Sequence, residues 1–80
     1  MRACVQVDFS FSMPLKEALT LIESFKGTLE SAIAEGPGGG NPCLTISFKY
    51  QIEAMRFLRH HFPKGESESF LRSLIYLEKE

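Results

Sequence analysis

Residues 25–33 read F-K-G-T-L-E-S-A-I, and the architecture turns on what Gly27 does there. Upstream, Leu15, Ala18, Leu19, Ile22 and Phe25 recur at three- and four-residue steps behind Pro14, a favoured first helical position, so an amphipathic helix runs into this stretch. Leu29, Ala32 and Ile33 would still fit its face if it continued. A glycine in mid-helix, however, costs about 1 kcal/mol relative to alanine. Read as a left-handed cap, Gly27 instead ends the helix, with Lys26 set against the negative end of the dipole. T-L-E-S-A-I then becomes a strand directing Leu29 and Ile33 to the core with Ser31 between them.

On either side of this pivot the periodicity is two. Val5, Val7, Phe9 and Phe11 alternate with Gln6, Asp8 and Ser10; Leu44, Ile46, Phe48 and Tyr50 alternate with Thr45, Ser47 and Lys49. Each set reads as a strand with one buried face. Residues 51–62, Q-I-E-A-M-R-F-L-R-H-H-F, place Ile52, Ala54, Met55, Leu58 and Phe62 on an apolar arc, and the helix stops before Pro63. Residues 69–78 are ambiguous. As a helix, Phe70, Leu71, Leu74, Ile75 and Leu77 form one stripe; as a strand both faces are apolar.

An offset of about 38 residues superimposes the two halves. V-D-F-S-F matches I-S-F-K-Y, a helix follows each, and the helices close with F-K-G at 25–27 and F-P-K-G at 62–65. The repeat makes the last segment a strand and the fold α+β, a ferredoxin-like βαββαβ two-layer sandwich with antiparallel strand order 4-1-3-2 and both helices on one face. The alternative is βαββαα, with residues 69–78 helical.

Eighty residues form one small domain, which buries only about 60% of its unfolded surface and gains from a partner subunit. Nine basic residues stand against ten acidic ones, a net charge of −1 that gives no global field for nucleic acid or anionic lipid. With no long apolar run and no signal-peptide block at the start, the expectation is a cytoplasmic protein without a membrane role. Cys4, Cys43, His60 and His61 lack the spacing of a metal site, so neither metal nor cofactor is expected. Antiparallel first and third strands hold the two cysteines roughly 20 Å apart, too far to bridge.

The glycine run E-G-P-G-G-G-N-P at 35–42 raises the question of a phosphate cradle. Such loops run from a strand into a helix N-terminus, whereas this run joins two strands and lacks a closing Gly-Lys-Ser or Gly-Lys-Thr. It reads as a hairpin tip. Catalysis has little to rest on: Asp8, Ser10, Ser47 and Lys49 share the open sheet face, with Asp8 and Lys49 placed as a diagonal pair, and no nucleophile, base and orienting group emerge from the spacing. A copper-chaperone-like domain would carry Cys-x-x-Cys between the first strand and helix, where S-F-S-M-P stands, and an acylphosphatase-like chain an Arg-bearing glycine loop.

The expectation is therefore a non-catalytic protein-interaction or regulatory module that associates with itself or with another protein. Phe70, Leu74 and Tyr76, an apolar row on an edge strand, are the candidate partner surface. A nucleic-acid-associated role is the alternative. Lys49, Arg56, Arg59, His60 and Lys64, with His61 beside them, form a basic neighbourhood around the second helix that suits phosphate or an acidic partner.

Overall fold

A computed structural model describes residues 2–10, 12–33, 41–62 and 64–79. The elements are β1 (Arg2–Asp8), α1 (Leu15–Ser24), β2 (Thr28–Ile33), β3 (Cys43–Phe48), α2 (Gln51–His61), α3 (Glu68–Ser73) and β4 (Tyr76–Glu78). The four strands form one antiparallel sheet in the order β2-β3-β1-β4, the 4-1-3-2 order expected from the repeat. Of the glycine run, residues 35–40 lie outside the described residues. In chain order the run precedes β3, not a helix.

One apolar cluster explains why the layers meet. Ala3, Val5 and Val7 of β1 stand opposite Phe48, Ile46 and Leu44 of β3, and the six side chains are buried on the face covered by Ala18 and Ile22 of α1 and Ala54, Met55, Phe57 and Leu58 of α2. Period two on the strands thus meets period 3.6 on the helices. Phe57 lies at the centre, its ring 5.7–6.2 Å from those of Phe9, Phe25 and Phe48. The apolar arc expected for α2 held Ile52 and missed Phe57. Ile52 is 61% exposed, because the helix turns its 54–55 and 57–58 pairs to the sheet.

Gly27 ends α1 as expected, but for a different reason. The left-handed residue is Lys26, at φ 65°. Lys26 N–H bonds Glu23 O and Gly27 N–H bonds Ile22 O, both at 2.9 Å, the paired bonds of a Schellman motif. Gly27 is required one step later, where a Cβ would fall 2.8–3.0 Å from Phe48, Ile46 and Ile22.

β2 forms, with a bulge that changes its faces. Leu29 opposes Ile46, Ser31 opposes Thr45 and Ala32 opposes Leu44, so Glu30 is the extra residue. The alternation is reset, and Ile33, expected in the core, is exposed. β1 runs from Arg2 to Asp8 rather than from Val5 to Phe11. Phe9 is still buried, and Phe11 lies outside the described residues. Tyr50, expected on the buried face of the third strand, is the exposed N-cap of α2. Its N–H bonds Glu53 Oε1 at 3.3 Å.

The ambiguous segment divides. Ser67 Oγ accepts the Phe70 N–H at 3.0 Å and starts α3, whose Leu71 is buried; after Leu74 the chain extends into β4. Strand and helix readings of residues 69–78 each hold for part of it. The register also corrects two distances. Cys4 opposes Ser47 and Cys43 opposes Asp8, so the thiols are four positions apart, about 13 Å rather than 20 Å, and both are free. Lys49 follows Phe48, which opposes Ala3, so Lys49 lies at the far end of the sheet from Asp8 and the diagonal pair does not exist.

Candidate functional site

The helix-free face of the sheet is crossed by one chain of polar side chains. Ser47 Oγ donates to Glu30 Oε2 at 2.7 Å; the same oxygen lies 3.1 Å from the Arg2 guanidinium, which reaches Glu78 Oε1 at 2.9 Å on its other side. The bulge brings Glu30 within reach of Ser47 and Arg2. Ser47 chiefly, with Arg2, holds the Glu30 carboxyl below its ordinary range against the opposing effect of burial. The two terminal nitrogens of the Arg2 guanidinium are committed to the Glu30 and Glu78 carboxylates, while its Nε is buried without a partner among the described residues. This is a clamp across four strands.

Cys4 lies beneath it, fully buried, opposite Tyr76 on β4. Burial raises the thiol pKa, and the Glu78 charge adds to it; Cys43 is raised by burial and by Asp8. Both thiols are held protonated, which makes them poor nucleophiles. His61 is equally engaged. Its Nε2–H donates to Asp8 O at 2.9 Å, and its ring stacks on Phe57 and packs against Phe9 and Phe62. Among the described residues no group of three or more His, Cys, Asp or Glu side chains gathers as metal ligands would.

The three candidate partner residues do not form one row. Phe70 is on α3, half exposed and edge-on to Phe62; Leu74 is partly buried against the core; Tyr76 is on β4. A different pair marks the edge. Tyr76 and Leu77 are 39% and 51% exposed, on opposite sides of β4. Phe9 N–H bonds Pro42 O on the β3 side, so the odd residues of β1 bond toward β3 and the even ones toward β4. Leu77, opposite Ala3, therefore turns its own N–H and C=O outward, away from the sheet. Sequence pattern misses this because strand parity over residues 69–78 holds only for the three residues of β4.

The basic candidates fall into separate places. Arg56 and Arg59 line a cleft between α2 and α3 with Gln51, Ile52, Met55, Glu68 and Arg72; Lys64 and Arg59 line a second depression beyond it. His60 packs against Phe25 beside α1, and Lys49 stands over the Tyr50 ring near Arg2 and Glu30. Arg72, not singled out from sequence, joins the cleft because α3 exists. Its signal was Glu68, four residues earlier, with Ser67 as cap. No helix among the described residues is long and apolar enough to cross a membrane. Comparison with protein-family models, with curated proteins and with solved structures finds no match to this chain.

Proposed function

We propose that the domain is a non-catalytic interaction module that pairs with a second copy of itself along β4. The observation that carries this reading is Leu77, exposed at a sheet edge with its backbone N–H and C=O directed outward. An edge of this kind is self-complementary: antiparallel pairing about a two-fold at Leu77 would set Leu77 against its copy and Tyr76 against the copy's Glu78. The two sheets would become one. The engaged state of Cys4, Cys43 and His61 supports a role in binding over one in catalysis.

Sedimentation velocity over a concentration series tests the pairing. The sedimentation coefficient should rise with concentration for the parent chain, and Leu77→Pro, which removes an outward N–H and no bond to β1, should weaken association by about tenfold or more while the urea midpoint barely moves. A parent chain that stays monomeric throughout, or a Leu77→Pro variant that associates as the parent does, overturns the reading. Nucleic-acid binding has less support, since the five basic candidates lie in several places.

A further inference from the structure

The cleft between α2 and α3 has a composition that selects its occupant. Ile52, Met55, Arg56 and Arg59 follow the i, i+3, i+4, i+7 spacing, so they form one stripe of α2 about two turns long. Facing it, α3 contributes Glu68 and Arg72, and the space between is about 420 Å³. The floor is apolar and the walls are cationic. Three guanidinium groups stand against one carboxylate: Arg59 and Arg72 both reach Glu68 Oε1, at 3.1 and 3.3 Å, while Arg56 has no ion pair among the described residues. The cleft thus carries net positive charge on a chain whose total is −1.

Ile52 sharpens the point. Among the described residues it is the most exposed of the large apolar side chains, and it lines the cleft. A free phosphate group would use the guanidinium groups and leave Ile52 and Met55 unmatched. An apolar helix would cover Ile52 and leave Arg56 buried without a counter-charge, a costly arrangement. Only an occupant with both features satisfies the whole surface.

We infer that this cleft docks an acidic amphipathic helix of a partner protein, with an apolar side chain against Ile52 and Met55 and carboxylates on Arg56, Arg59 and Arg72. Arginine suits the task, since its planar fork takes a carboxylate through two parallel bonds. The mode is helix-in-groove recognition, with α2 and α3 as the groove. The site lies apart from β4 and stands whether or not the chain self-associates.

A fluorescein-labelled amphipathic peptide with leucines at i, i+3, i+4 and i+7 and glutamates flanking them is the probe, and the same peptide with glutamine for every glutamate is its control. Anisotropy titrations at low and high salt should show the glutamate peptide binding at least about tenfold tighter than the control, the advantage shrinking as salt screens it. Arg56→Glu should remove that advantage, Arg56→Lys should retain part of it, and Ile52→Asp should weaken both peptides. Arg56 and Ile52 are exposed, so the variants keep the fold, which their urea midpoints check.

Equal affinity for the two peptides, no binding of the glutamate peptide, or an Arg56→Glu variant that binds it unchanged would overturn the inference. So would displacement of the bound peptide by a deoxythymidine oligomer that itself binds more tightly, an outcome that assigns the cleft to nucleic acid. Sedimentation of the same samples reports self-association separately, so loss of peptide binding and loss of pairing are read independently.

Discussion

A Cβ on Gly27 would lie 2.8 Å from the Phe48 ring and 2.9 Å from Ile46 Cγ2, both inside the core, so Gly27→Ala must displace buried side chains that have nowhere to go. Overpacking of this kind costs about 1–3 kcal/mol. Its neighbour behaves oppositely. Lys26 holds φ 65°, a conformation that disfavours any side chain with a Cβ by about 1–2 kcal/mol, so Lys26→Gly should be neutral or stabilising despite the loss of a cation at the helix end. Urea unfolding of both variants checks the pair: a lower midpoint for Gly27→Ala and an equal or higher one for Lys26→Gly. The sequence showed that a helix ends here, because a mid-helix glycine is expensive. Which residue takes the left-handed turn depends on the Phe48 and Ile46 side chains of β3, nineteen or more positions away, and no local pattern encodes that distance.

At the scale of elements, His61 fastens the end of α2 to the end of β1. Its Nε2–H satisfies the Asp8 carbonyl, which β4 is too short to reach, and its ring fills the space between Phe9, Phe57 and Phe62. Burial, the largest influence, lowers the imidazole pKa from its ordinary 6.5; the Asp8 carbonyl and carboxylate oppose this, and His60 adds to it. Where neither folded nor unfolded chain binds the proton, above the ordinary value, stability is whole. As pH falls through the interval between the ordinary and the lowered value, the unfolded chain takes up the proton first and stability drops. Urea midpoints between pH 8 and pH 5, roughly the range of histidine titration, should therefore fall for the parent and fall less for His61→Gln. An identical slope in the two proteins would contradict the assignment.

The major elements follow from period-two and period-3.6 patterns: β1, β3, α1 and α2 are each stated plainly by their apolar residues. The last segment is not, because it is two elements. Ser67 signals a capped turn of helix, but residues 69–78 taken as one segment mix two short elements and satisfy neither template. The same limit hid Glu30. A bulge adds one residue without changing composition, and it is visible only through the register it resets. The two surfaces offered for binding share this origin: Arg72 and Leu77 acquire their places from α3 and β4, whereas Arg56 and Arg59 were legible as an exposed helix face.

For the whole molecule, the two thiols report on different motions. Cys43 is half-buried near the end of β3, while Cys4 is closed in between β3 and β4 beneath Tyr76. Labelling with an aromatic disulfide should modify Cys43 in the native state and Cys4 only when β4 lifts or the chain unfolds. Two phases are expected. If β4 pairs with a second copy, the slow phase should become slower as protein concentration rises and lose that dependence in Leu77→Pro. A single fast phase for both thiols would show that β4 does not shield Cys4.

Arg2 and Glu78 stand opposite each other on adjacent antiparallel strands, so the first and last described elements meet at the same end of the sheet. A tether attached beyond each of these residues would load the β1–β4 ladder from one end, opening its bonds in succession like a zipper, whereas the central β1–β3 ladder with its six paired positions would bear little of the load. Tension applied there would detach β4 first, break the Arg2–Glu78 contact and uncover Cys4 while the helix-covered face of the sheet stays closed. Mechanically, the domain has a weak seam and a strong one, and the seam that yields holds β4, the strand through which it is proposed to pair.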